Sequence, residues 1–230
     1  MSTVGVVLFP GTNCELDVVE AVRSLGGDAR LLWHGDADLG DVDAVVVPGG
    51  FAHGDYLRPG AIARFSAVME SVTEFARSGG PVVGICNGFQ VLTEAGLLPG
   101  ALRKNRDLRF LCTTVELEVA STSSVLTSET NVGDRLRIPI NHFEGSYVCD
   151  DATLERLQAE GRIVLRYVDN PNGSLDDIAG VANEGGNVVG LMPHPERASH
   201  ALLGSTDGVP LLLSLLTAAG TRAQPAAVNS

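Results

Sequence analysis

Pro81-Val82-Val83-Gly84-Ile85-Cys86-Asn87-Gly88-Phe89-Gln90 sets one thiol between two glycines, where a β-branched apolar run ends and a helical pattern begins. A buried cysteine needs no flanking glycines. A cysteine presented to a ligand at a sharp strand-to-helix turn does, because larger Cβ groups would clash there. Gly84-Ile85-Cys86-Asn87-Gly88 thus reads as a nucleophile elbow, G-x-nucleophile-x-G, in the strand-then-helix context that the motif requires. At a helix N-terminus the exposed N–H groups and the dipole favour thiolate over thiol, and the thiolate is the nucleophile. The competing reading is a small buried residue at a strand end, the usual fate of a free cysteine.

The flanking segments place this elbow in an α/β sheet. Upstream, strands are predicted over 4–9, 29–33 and 44–47, and a helix over 15–25 with Leu16, Val19, Val22 and Leu25 at helical spacing. An amphipathic helix is predicted over 61–77, a strand over 82–85 and a helix from 87 to about 95. Short, two-sided apolar strands separated by helices point to a parallel sheet covered on both faces. Downstream the chain is richer in strands: 110–119, 135–140, 163–168, 178–183 and 187–192, the last two joined by Glu184-Gly185-Gly186 as a hairpin. The expectation is a mixed, mostly parallel sheet with an antiparallel extension. A single domain would span 1–218, closed by a helix over 209–218, and 219–230 would be a frayed tail.

Composition narrows the function. The chain has 230 residues, 44% of them hydrophobic, enough for a full core. A net charge of −12 argues against nucleic acid as a partner. No apolar stretch is long enough to span a membrane, and the N-terminus lacks the pattern of a leader. The four cysteines are scattered without a C-x-x-C pair and the five histidines show no metal spacing, so neither a metal site nor a disulfide framework is expected. A reducing, cytoplasmic setting is the simplest reading.

A cysteine nucleophile wants a histidine, and the histidine wants a third group to hold its tautomer. Met192-Pro193-His194-Pro195-Glu196-Arg197 follows a predicted strand and supplies both. The prolines predict an extended segment, in which His194 and Glu196, two residues apart, share a face. An oxyanion hole would take one N–H from Asn87 and another from the loop Pro48-Gly49-Gly50-Phe51. Gln90, one helical turn after Cys86, is placed to meet a polar substrate. Cys14, Cys112 and Cys149 read as structural, and His34, His142 and His200 as structural or surface residues; His53 is a minor candidate in the unusual loop 51–56.

Together these residues resemble the class I (triad) glutamine amidotransferases, and among them the glutaminase subunits of phosphoribosylformylglycinamidine synthases. The matching stretches are GTNCE (11–15), PGGFAHGDYLRPGAIARF (48–65), GICNGFQVL (84–92), LLPGALRKNRDLRF (97–110) and MPHPER (192–197). The resemblance implies a three-layer, flavodoxin-like fold, with Cys86 as nucleophile, His194 as base and then acid, and Glu196 as its orienter. It implies oxyanion-hole N–H groups from Gly50 and Asn87, and contact of Gln90 with bound glutamine. His142-Phe143-Glu144-Gly145 departs from the His-Gly-Glu-Gly of some relatives. No cofactor is implied on this chain. ATP and magnesium would belong to a large synthase subunit, with a third small subunit in some organisms, and this chain indeed carries no phosphate-cradling glycine motif. Three rival readings remain at this point: an amidotransferase subunit for another acceptor, another thiol hydrolase built on an elbow, and an interaction protein with an oxidisable Cys86.

Overall fold

The structure is a computed structural model that describes residues 1–222. Its centre is a nine-stranded sheet. The chain begins with β1 (Thr3–Leu8), α1 (Glu15–Ser24), β2 (Asp28–Trp33) and β3 (Ala44–Val47). It continues with α2 (Ala67–Arg77), β4 (Val82–Ile85), α3 (Asn87–Glu94), β5 (Ala101–Arg103), β6 (Leu111–Val119), β7 (Arg135–His142) and β8 (Ser146–Val148). It closes with α4 (Asp151–Ala159), β9 (Ile163–Tyr167), β10 (Ile178–Ala182), β11 (Val188–Leu191) and α5 (Val209–Arg222). The sheet order is β2-β1-β3-β4-β11-β10-β9-β6-β7, and β5 pairs with β8 in a separate ribbon.

The five strands from β2 to β11 run parallel, and β10, β9, β6 and β7 continue the sheet antiparallel. Every residue of β3 and β4 is buried, as unbroken apolar runs covered on both faces must be. α1 packs on β1, β2 and α5, while α3 packs on β3, β4 and β11. The β1-α1-β2 crossover moves one way along the sheet and β3-α2-β4 the other. Right-handed connections therefore put their helices on opposite faces, giving three layers. Strand order reverses at β1, so the crevice beyond the C-terminal ends of the parallel strands is where a ligand site belongs.

Several sequence expectations shift. The helix expected over 61–77 starts only at Ala67: Ala63–Phe65 is a separate 3₁₀ turn, and Ser66 breaks the run in extended conformation (φ −67°, ψ 146°). Arg64 holds that turn over α3, donating to the Glu94 carbonyl at 2.8 Å, a tertiary contact invisible to periodicity. Leu16 is exposed, whereas Val19 and Val22 are buried as expected, together with Val18 and Ala21. The tail expected from 219 is helical as far as Arg222, with Ala219 buried, and the rest of it lies outside the described residues. α4, β5 and β8 are not anticipated by the sequence reading. α4 is opened by the Asp150 side chain, which accepts from the Thr153 N–H at 2.8 Å. No described helix is long and apolar enough to cross a membrane.

Candidate active site

Cys86 follows β4 and caps α3 with φ 51° and ψ −105°, a strained backbone for a residue with a side chain. The flanking glycines explain how the turn fits. A Cβ at Gly88 would come within 1.8 Å of the Val47 carbonyl oxygen, and one at Gly84 within 2.7 Å of Gly88 backbone. The turn is anchored by the Cys86 N–H, which donates to the Leu191 carbonyl at 2.8 Å. The neighbouring strand β11 thereby fixes the cysteine.

The same strand delivers the histidine. Beyond Leu191, the His194 N–H donates to the Pro139 carbonyl at 2.8 Å, and its Nδ1 meets Glu196 Oε1 at 2.6 Å. Both side chains are buried. The prolines do not keep this segment extended throughout, which corrects the sequence expectation. His194 is (φ −106°, ψ 87°), but Pro195–Ala198 forms a 3₁₀ turn with Pro195 at its first position. Proline is pre-set for that position, so a turn rather than strand alternation brings Glu196 back beneath the imidazole. Burial alone would lower the His194 pKa; the carboxylate of Glu196, then Cys86 and Cys14, override it and hold the pKa well above the ordinary histidine value. Imidazolium is the favoured form beside these groups.

Gly49 lies between the pieces. A Cβ there would stand 2.7 Å from His194 Cε1, 3.1 Å from Cys14 Sγ and 3.5 Å from Cys86 Cβ. The imidazole and the nucleophile's carbon face one another across that missing methyl group. Gly50 follows with φ 143°, and a Cβ on it would press within 2.7 Å of the Asn13 nitrogen. Among the described residues no acceptor takes the Gly50 N–H. The Asn87 N–H, at the first helical position, has no acceptor inside its helix. Gln90 lines the cavity, but its carboxamide is engaged within the chain: Nε2 donates to the Glu144 carbonyl at 2.5 Å and Oε1 accepts from Asn87 at 2.9 Å.

Cys86, His194, Gly50 and Gln90 line one cavity of about 260 Å³, together with Asn13, Cys14, Asp55, Asn141, His142 and Glu144. A thiol at a helix N-terminus, an imidazole oriented by a carboxylate, and uncommitted backbone N–H groups form a set suited to acyl transfer.

Residues 1–207 match the family described as the CobB/CobQ-like glutamine amidotransferase domain. The chain belongs to this glutamine amidotransferase family. It is 59% identical over 216 residues, 94% of this chain and 98% of the relative, to phosphoribosylformylglycinamidine synthase subunit PurQ of Rubrobacter xylanophilus. It is 55% identical to PurQ of Trichormus variabilis, over 92% of this chain and 96% of that one. Among solved structures it resembles PurLQS from Thermotoga maritima, with TM-score 0.87 and 42% identity, covering 94% of this chain and 98% of that one. A Thermoplasma acidophilum protein described as a GMP synthase subunit shares the fold, with TM-score 0.67 and 15% identity over 96% of this chain and 95% of that one.

Two residues of this amidotransferase are nearer the centre than the sequence suggests. Cys14, read as structural, places its Sγ, a His194 ring nitrogen and a Glu196 oxygen within 4.8 Å of one another. Such a trio could hold a soft cation, but His194 Nδ1 is bonded to Glu196, and Arg197 Nη2 donates to the Cys14 sulfur at 3.2 Å. The one signal for Cys14 is its position just past β1, at the strand-order reversal. His142, also read as structural, lines the cavity as a neutral imidazole. Burial, with His194 nearby, pulls its pKa down to about 4. His53 instead stands in the wall loop against His34, with ring centroids 5.2 Å apart.

Proposed function

We propose that this chain is the glutaminase subunit of a phosphoribosylformylglycinamidine synthase, with Cys86, His194 and Glu196 as its catalytic triad. The observation that carries the reading is the buried His194–Glu196 pair facing Cys86 at a glycine-flanked elbow. The Cys86 thiolate attacks the carbon of the glutamine side-chain amide, and the Gly50 and Asn87 N–H groups receive the oxyanion. The C–N bond breaks as His194 gives its proton to the departing ammonia, leaving a γ-glutamyl thioester. His194 then takes a proton from water, which attacks the thioester and releases glutamate and the thiol.

Free ammonia would protonate in water and lose its nucleophilicity, so it passes directly to a synthase subunit that holds ATP, magnesium and the acceptor, formylglycinamide ribonucleotide. A third small subunit completes the assembly in some organisms. The test is mass spectrometry after exposure to diazo-oxo-norleucine, a glutamine-mimicking alkylator. One adduct on Cys86, prevented by excess glutamine, is expected. Labelling elsewhere, or indifference to glutamine, would overturn the assignment and revive the rival thiol hydrolase.

A further inference from the structure

The cavity wall after Gly50 is a strained loop. His53 (φ 53°), Gly54 (69°), Asp55 (51°) and Leu57 (71°) all take left-handed conformations, and only one of them is glycine. Each of the others costs on the order of 1 kcal/mol, so the loop needs something to hold it. The holder is the side chain of Asn87, the residue after Cys86. Its Oδ1 accepts from the Ala52 N–H at 2.9 Å, and its Nδ2 donates to Asp55 Oδ1 at 3.0 Å. One carboxamide therefore clasps both ends of the 52–55 turn and joins it to the nucleophile's helix.

We propose that Asp55 is a positioning residue of the glutaminase site: its carboxylate latches the wall loop to α3 and so fixes the Gly50 N–H relative to Cys86. The inference rests on the glutaminase reading above. The electrostatics favour a role over mere stability. Burial raises the Asp55 pKa to about 6, against the Asn87 hydrogen bond, and the charge of Glu144 adds to the rise. Among the described residues no cation pairs with it. Arg58, on the same loop, is committed to Glu94 of α3 at 2.6 Å and 2.7 Å. His53 faces His34 and Ser66, while His142, Glu144 and His194 line the same cavity as Asp55 without an ion pair to it. A half-buried carboxylate without a counter-ion disfavours folding at neutral pH, and its one side-chain partner is the latch.

The test uses the rate of Cys86 alkylation by diazo-oxo-norleucine in the purified chain, and glutaminase turnover in the assembled enzyme. Asp55→Ala removes the acceptor and should lower the maximal rate at least about tenfold, leaving the half-saturating concentration nearly unchanged. Asp55→Asn keeps size and an acceptor but not the charge-assisted bond, and should fall between. The wild-type rate should decline below about pH 6, where the carboxylate takes a proton. Asp55→Asn should lack that limb. Asp55→Ala/Asn87→Ala should be no slower than the worse single variant, and hydrogen exchange at Ala52 should quicken in Asp55→Ala. A change confined to the half-saturating concentration would make Asp55 a substrate-binding group and overturn the latch, as would wild-type rates with the limb retained in Asp55→Asn. If Asp55→Ala does not fold, the Asp55→Asn pH profile decides alone. Absence of a Cys86 adduct in the wild-type chain would instead fell the glutaminase reading itself.

Discussion

Cys86 and His194 follow adjacent strands, β4 and β11, and serve one reaction in the reading above: the thiolate attacks the amide carbon while the imidazole moves the protons. Groups that work as a unit give non-additive losses. His194→Ala should lower glutamine-dependent synthesis by several powers of ten, and adding it to Cys86→Ala should make that variant barely worse. Ammonia-dependent synthesis should survive in both. Additive losses would show two independent roles. His142 offers a stability test with a definite sign. Its folded pKa of about 4 lies below the ordinary value of 6.5, so between those pH values the unfolded chain takes a proton that the native chain refuses. Stability is therefore lost as pH falls through that window, by up to about 3 kcal/mol. His142→Gln should reduce the difference between urea midpoints at pH 7 and pH 4.5; an unchanged difference would contradict the buried neutral imidazole. At this scale the elbow motif made Cys86 legible and the short segment 192–197 made the His194–Glu196 pair legible, although a 3₁₀ turn rather than an extended strand brings the pair together. Cys14 was not, since its neighbours His194 and Arg197 lie at the other end of the chain.

At the scale of elements, the elbow depends on how closely α3 approaches β3. The Val47 carbonyl that a Gly88 methyl would strike belongs to a fully buried strand, which cannot give way by a rotamer change. Gly88→Ala should therefore lower the thermal midpoint by several degrees and the alkylation rate with it, the usual cost of overpacking being about 1–3 kcal/mol. A folded variant with unaltered midpoint would mean that α3 is not packed this tightly. β3 and β4 could be read from sequence because burial on both faces demands short runs with no polar side chain, AVVV and VVGI. The hairpin at Glu184-Gly185-Gly186 was equally plain from its turn residues. The ribbon β5–β8 escaped because strands as short as Ala101–Arg103 and Ser146–Val148 carry no measurable alternation. The wall loop escaped for a different reason: left-handed Leu57 contradicts its own propensity, and the Asn87 clasp that holds the 52–55 turn is tertiary.

For the whole molecule, the decisive surface surrounds the cavity mouth, where Phe51, Tyr56 and Leu57 are exposed on the strained loop. Under the function proposed above, this loop and the exposed basic residues Arg103, Lys104, Arg106 and Arg109 are the candidates for contact with a synthase subunit. A site held slightly out of geometry until that subunit docks would spare glutamine. The purified chain should thus release glutamate at least about a hundredfold more slowly than the nucleotide-loaded complex. Equal rates would dismiss gating. The sheet order carries one more consequence, for synthesis on the ribosome. β11, which joins β4 to β10, is the last strand to be made, so an emerging chain holds two half-sheets with bare edges until residues 188–191 clear the exit tunnel. His194 follows only three residues later. The pairing of thiol and imidazole is therefore completed only after the seam strand is made, and until then the open edges leave a stalled or truncated nascent chain prone to aggregate.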